Sequence, residues 1–208
     1  MLKAIIFDFD GTLSDSREVM MLALGRLAGK YDCPEPKEEE LAELNKLPIK
    51  ERFKKMGVPI SKIPEIIRDM QDTFVEHQDC LRPFPGVREC LLVLAERGFD
   101  LYILSTNTRE VMVNFLKAND MDVFDGIISS PDLFGKHSTI LKLLQKQGLS
   151  REEVLYVGDE LRDIDACKSA GIKVLAVTWG HDSLALLKKG NPDYVVHTPE
   201  EILDIAFM

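Results

Sequence analysis

The sequence predicts an α/β fold: a parallel sheet with helices on both faces and an all-helical segment inserted into it. Three observations carry this. Short, near-continuous apolar runs recur along the 208 residues, as strands covered on both faces require. Helix-like segments alternate with these runs, the pattern of parallel strands joined by crossovers. One connection, from about Asp15 to Arg82, holds about 70 residues without a clear strand of its own.

The elements follow in order. Residues 4–7 are the first apolar run and the first strand. Inside the long connection, Met20, Leu24 and Leu27 repeat at helical spacing, as do Ile63, Ile66, Ile67, Met70 and Phe74. Pro34, Pro36, Pro48, Pro59 and Pro64 mark the breaks, and Lys37-Glu38-Glu39-Glu40 reads as the solvated, acidic start of a helix. A connection of this length inside a compact fold is usually functional. The chain is therefore expected to divide into a core over 1–14 and 84–208 and a helical cap domain over 15–83. In the core a helix at 87–97 precedes the second strand at 101–104, and another at 109–119 follows it. A third strand at 127–128, a helix at 138–147, a fourth strand at 154–157 and a helix at 163–170 come next. A fifth strand at 174–177 and a weaker sixth at 194–196 complete a Rossmann-like order. Gly98, Gly148 and Gly171 close helices, and Ser150 with Glu153 has capping-box spacing.

Composition excludes several classes of function. With 26 Lys+Arg against 35 Asp+Glu the formal charge is −9, and no run of four basic residues offers the counterion-displacing face that nucleic acid needs. No apolar run exceeds six residues, the length of 90–95, against roughly 18 for a membrane span. The first seven residues are too short an apolar stretch for a signal peptide. Cys33, Cys80, Cys90 and Cys167 lie far apart with no zinc-ligand spacing, which favours a reducing cytoplasm.

The chemistry sits where strands end. Asp8-Phe9-Asp10-Gly11-Thr12 puts two carboxylates two residues apart at the end of the first strand, on one side of an extended chain. Taken alone, the segment reads equally as an Asp-Gly turn. An EF-hand calcium loop fits worse, because Gly11 is at the fourth position and Val19 stands where the closing Glu belongs. A second acidic cluster, Gly158-Asp159-Glu160-Leu161-Arg162-Asp163, ends the fourth strand. Crowded carboxylates repel one another and suit a hard divalent ion such as magnesium (Mg2+). Ser105-Thr106-Asn107 brings hydroxyl and amide groups to the end of the second strand, and Lys136 follows the third. Jointly these residues make a site for a transferring phosphoryl group.

This ordered set resembles the haloacid dehalogenase superfamily, and within it the phosphoglycolate-phosphatase-like hydrolases with a helical cap. The resemblance covers essentially the whole chain. It rests on residues 8–16, Phe84-Pro85-Gly86-Val87, Ser105-Thr106-Asn107, Lys136, Gly158-Asp159 with Asp163, and the stretch from Gly171 to Thr178-Trp179-Gly180.

The resemblance implies a magnesium-dependent phosphomonoesterase. Asp8 is then the nucleophile that forms an aspartyl-phosphate, and Asp10 the acid and base, a task that needs a raised pKa. Thr106 or Ser105, with Asn107, would bind the phosphoryl group, and the register between the two hydroxyls stays open. Lys136 would neutralise charge and orient Asp8. The metal set implied is Asp8, the backbone carbonyl of Asp10 and Asp159, with Asp163 and Glu160 behind them. Lys46 stands where relatives often have a glycine facing the site, either as a contact for an anionic substrate tail or as an ordinary solvent-facing lysine. His77, His181 and His197 show no partner spacing. The expected partner is a small phosphorylated metabolite such as phosphoglycolate or a sugar phosphate. Neither nucleic acid nor membrane is expected, and the chain would be a monomer or homodimer. The alternatives are a phosphosugar mutase of the beta-phosphoglucomutase type and a non-catalytic phospho-acceptor or binding protein.

Overall fold

The structure, a computed structural model, describes residues 1–31, 37–58 and 60–208. Cys33 and the expected breaks at Pro34, Pro36 and Pro59 lie outside the described residues. Six parallel strands form the main sheet: β1 (Ala4–Phe7), β4 (Asp100–Ser105), β5 (Gly126–Ser129), β6 (Val154–Gly158), β7 (Lys173–Val177) and β8 (Tyr194–Val196). All six grow from the six apolar runs. Their order across the sheet is β5-β4-β1-β6-β7-β8. The chain thus builds outward from β1 on one side and then returns to build outward on the other.

The alternation of side chains along β1 decides which layer each residue joins. Ile5 and Phe7 pack on one face with Leu101, Ile103, Leu91, Leu94, Phe115 and Leu116. Those partners come from β4, α5 (Val87–Glu96) and α6 (Arg109–Ala118). Ala4 and Ile6 face the other layer, formed by α7 (Lys136–Gln147) and α8 (Leu161–Ala170) through Ile140, Leu144, Ile164 and Cys167. Ile5 and Ile6 are both fully buried, each contributing about 1.5–3 kcal/mol. α9 (Leu184–Lys189) and α10 (Glu200–Ala206) follow β7 and β8.

The long connection carries α1 (Arg17–Tyr31), α2 (Glu38–Leu44), α3 (Ile49–Lys55) and α4 (Ile63–Glu76) among its described residues. Leu27, Val58 and Ile66 form a small core of their own, apart from the sheet's two layers. α2 begins at the acidic run, directly after Lys37. One feature has no sequence signal. β2 (Ser14–Asp15) and β3 (Arg82–Pro83) form a separate antiparallel ladder, Ser14 opposite Pro83 and Asp15 opposite Arg82. The two ends of the connection are therefore hydrogen-bonded side by side. Among the described residues no helix is long and apolar enough to cross a membrane.

Candidate active site

Strand register gathers the site. Phe7 pairs with Ile103 of β4 and with Val157 of β6. Asp8, Ser105 and Asp159, each one or two residues further on, therefore emerge at the same carboxyl edge. β1 and β6 also flank the point where the sheet's direction of growth reverses, and open α/β sheets bind ligands in the crevice outside such a point.

Lys136, the first residue of α7, is 2% exposed and reaches into this crevice. Its ammonium donates to Asp8 Oδ2 at 2.7 Å, to Asp163 Oδ1 at 2.6 Å and to the Tyr156 hydroxyl at 3.0 Å. Three donors thus meet three acceptors. Burial disfavours the charge on Lys136, but Asp163 and Asp8 outweigh it and raise its pKa. Asp8 is buried, and its Oδ1 accepts from the Phe9 N–H at 2.8 Å.

Arg162 is the second cation. Its Nε donates to Glu160 Oε2 at 2.5 Å and its Nη2 lies 3.9 Å from Asp8 Oδ2. Burial pushes the Glu160 carboxyl up, but Arg162, Arg52 and His181 prevail and hold it at about 2. Nη1 of Arg162 and Nε2 of His181 are buried without a hydrogen-bond partner. Two unpartnered nitrogens near the Asp8 carboxylate offer a place for an anion's oxygens.

The other carboxylates are strained by company. Asp10 accepts from Asn107 Nδ2 at 3.0 and 3.3 Å, and burial followed by the charge on Asp8 raises it to about 7. Asp163 is also raised to about 7, first by burial. Asp159 is raised well above the usual range by burial, then by Glu160, Asp8 and Asp163. Its two oxygens accept from the Thr12 hydroxyl at 2.8 Å and the His181 N–H at 2.7 Å. Gly11, at φ +79°, lies against this carboxylate so closely that a Cβ would collide with Asp159 and His181. The turn after β1 thus requires glycine for both its conformation and its clearance.

The donor set fits a divalent cation. Five carboxylates, Asp8, Asp10, Asp159, Glu160 and Asp163, gather near the cations Lys136, Arg162 and Arg52, and burial together with neighbouring carboxylates raises Asp159 and Asp163. Among the described residues, Asp8, Glu160 and Asp163 bring ligand oxygens within 4.8 Å of one another. This differs from the expected set of Asp8, Asp10 and Asp159. Asp159 shares its oxygens with Thr12 and His181, although a carboxylate's four lone-pair directions leave room for a further ligand.

Of the phosphoryl-binding candidates, Ser105 is buried and its Oγ accepts from the Asn107 N–H at 3.1 Å, whereas Thr106 lines the adjoining cavity. Lys46 is not brought to the site. It is exposed and pairs with Glu43 one turn back on α2, because the loop after that helix turns its side chain to solvent. The sequence pattern does not single out Tyr156, Arg162, His181 or Arg52. A hydroxyl inside the apolar run at Tyr156 is the one available signal, since a buried tyrosine oxygen needs a partner.

The cavity, about 170 Å3, lies between the sheet edge and the inserted helices. Among the described residues, polar contacts cross between them. Gln71 Nε2 donates to the Thr106 carbonyl at 2.6 Å, the Ser183 N–H donates to the Asn45 carbonyl at 3.0 Å, and Arg52 pairs with Asp182.

Comparison with known proteins gives a consistent picture. The model of one protein family, Haloacid dehalogenase-like hydrolase, matches residues 5–177. The chain is 29% identical over 203 residues to the phosphoglycolate phosphatase of Synechococcus elongatus, covering 97% of this chain and 96% of that protein. It is 27% identical over 214 residues to the pyrophosphatase PpaX of Halalkalibacterium halodurans, covering 99% of this chain and 97% of that one. Among solved structures, a haloacid dehalogenase-like family hydrolase from Streptococcus pneumoniae superposes with a TM-score of 0.83 at 28% identity, over 100% of this chain and 99% of the other.

Proposed function

The chain belongs to the haloacid dehalogenase-like hydrolase family, and on that premise we propose that it is a magnesium-dependent phosphomonoesterase acting on a small phosphorylated metabolite. The observation that carries the reading is the division of labour between two carboxylates two residues apart. Asp8 is held by the buried ammonium of Lys136, while Asp10 faces Asn107 and shares the cavity with Thr106. Burial and the charge on Asp8 push Asp10 up to about 7, which suits an acid/base role, while a cation beside Asp8 suits a nucleophile.

In this mechanism an Asp8 oxygen attacks phosphorus in line, and the bond from phosphorus to the ester oxygen breaks. Asp10 gives its proton to that oxygen, which leaves as an alcohol. Asp10, now a carboxylate, takes a proton from water as the water attacks the aspartyl-phosphate. The bond between phosphorus and Asp8 then breaks, releasing inorganic phosphate and restoring both residues. Thr106 and Asn107 hold phosphoryl oxygens from one side. Lys136 orients Asp8 and offsets charge, and Asp163 orients Lys136. Magnesium, held by Asp8, the Asp10 carbonyl and Asp159 with Asp163 and Glu160 close by, would supply Lewis-acid stabilisation of the phosphoryl charge.

Residues 15–83 are proposed as a cap over the core formed by 1–14 and 84–208. The polar links through Gln71, Asn45 and Arg52 support this, as does the pairing of the two connecting segments as β2 and β3. A cap of this sort excludes water while the phosphoryl group transfers and opens to release product.

The test is phosphate release from a panel that includes phosphoglycolate, sugar phosphates and pyrophosphate, with and without magnesium, for the parent, Asp8→Asn and Asp10→Asn. Metal-dependent release that Asp8→Asn abolishes is the expected result. Isomerisation of a sugar phosphate without phosphate release would replace this reading with a mutase.

A further inference from the structure

The cavity beside Asp10 has two unlike sides. The sheet contributes the polar one, with Asp10, Thr106, Asn107, Glu160, Arg162 and His181. The inserted helices contribute an apolar one, including Met20, Leu24, Leu44, Phe53, Met56 and Met70. The polar groups on that second side are few, the uncharged Asn45 amide among them, and most are committed. The Tyr31 hydroxyl donates to Asp69 at 2.9 Å, Gln71 donates to the Thr106 carbonyl at 2.6 Å, and Arg52 is paired with Asp182. Among the described residues no lysine lines the cavity, and both arginines already face a carboxylate, Asp182 for Arg52 and Glu160 for Arg162.

We propose that this cavity receives the alcohol half of the substrate, so that the preferred phosphomonoester carries an uncharged, apolar leaving group of short-alkyl or single-ring bulk. The proposal rests on the phosphatase reading and adds the substrate class to it. A phosphoryl group at the polar side meets the unpartnered nitrogens of Arg162 and His181, with the Lys136 ammonium held behind Asp8. A second anion on the leaving group, such as a carboxylate or another phosphoryl, would surrender its water at the apolar side without gaining a free cation. An alkyl or aryl group there gains affinity with every methylene it buries, about fourfold each. The size sets an upper limit. An apolar cavity of about 150 Å3 holds one benzene molecule, and this one is about 170 Å3. Met20, Met56 and Met70 suit such a wall, because methionine adapts its shape to an apolar guest.

Alkylphosphonates separate binding from turnover, since their carbon–phosphorus bond is not cleaved. The experiment titrates the intact protein, with magnesium, with the series from methyl- to octylphosphonate and with phosphonoacetate and methylenediphosphonate, by calorimetry at several temperatures. Phosphate release from the matching alkyl phosphates is measured alongside. The expected Kd falls about fourfold per methylene up to roughly hexyl and then levels, with an increasingly negative heat-capacity change. Phosphonoacetate and methylenediphosphonate bind no tighter than the short alkyl members. Leu24→Trp and Met70→Trp, checked for folding by circular dichroism, move the plateau to shorter chains. Should either variant not fold, the series with the parent protein decides alone. A flat series, or tighter binding of either dianionic analogue's second charge, overturns the proposal while phosphate release keeps the phosphatase reading. If the phosphonates bind in the expected order but no ester releases phosphate, the reading itself fails and the leaving-group assignment falls with it.

Discussion

The ammonium of Lys136 lies 2.7 Å from Oδ2 of Asp8, and both side chains are 2% exposed. Asp163 shares the same ammonium. Removing the cation leaves two carboxylates buried against each other, and a broken buried ion pair costs about 3–5 kcal/mol. Lys136→Met is therefore expected to lose activity and about that much stability in urea unfolding of the metal-free protein. Adding Asp163→Asn should return part of the stability but none of the activity. Equal stability of parent and Lys136→Met would contradict the network.

Arg162 offers a second test. Its guanidinium is anchored by Glu160 with one nitrogen free toward the site, a geometry that lysine cannot reproduce. Arg162→Lys should lower kcat by about 100- to 1,000-fold, the usual cost of losing one preorganised donor to a developing oxyanion. Affinity for vanadate should fall with it. Glu160→Gln, which loosens the anchor only, should have a smaller effect in the same direction. Unchanged vanadate affinity in Arg162→Lys would remove the residue from the site.

The metal-free protein should respond to pH in a defined direction. Asp10 and Asp163 are both raised to about 7, above the ordinary carboxylate value. Folding thus favours their protonated forms, and the stability this contributes is present at low pH and lost as pH rises from about 4 through 7. Magnesium, if it occupies the proposed site, should reverse the trend by binding the ionised set and should displace protons at pH 7. Calorimetry in buffers of different ionisation enthalpy measures that release. Asp159→Asn and Glu160→Gln, titrated with magnesium side by side, show which carboxylate contributes more of the affinity.

Arg52 and Asp182 join α3 to the loop after β7, with side chains 11% and 3% exposed. Burial lifts Asp182 to about 6, so the pair holds a carboxylate that would otherwise keep its proton. Arg52→Met should weaken the link between inserted helices and sheet. Spin-label distances from α3 to β7 should broaden toward longer values, and KM should rise more than kcat falls. An unchanged distance distribution would mean that Gln71 and Asn45 suffice for closure.

The main sheet was legible because strands buried on both faces must be written as apolar runs, and Ile5, Ile6, Ile103, Val157 and Leu175 leave no other reading. The candidate site was legible wherever chemistry sits at a strand end, as with Asp8, Asp10 and Asp159, whereas Lys136 opens the helix after the third apolar run. Lys46 misleads because a lysine in a loop carries no mark of where it points; here it turns to Glu43 and solvent. Arg52 and Asp182 are 130 residues apart, and nothing periodic links two charges that meet only when helices close on a sheet. The Ser14–Asp15 and Arg82–Pro83 ladder is shorter than any alternation can reveal, and Pro83 argues against a strand on composition.

That ladder has a consequence for how such a protein changes over generations. The insertion leaves and re-enters the sheet at one clasp, so its own length scarcely bears on whether the rest of the chain folds. Doubling a loop whose ends are already joined costs only about 0.6 kcal/mol. Helices between Asp15 and Arg82 can be lengthened, shortened or exchanged while Asp8 and Lys136 keep their register. On the proposed reading, what the protein recognises is thereby heritable apart from the chemistry at the sheet edge.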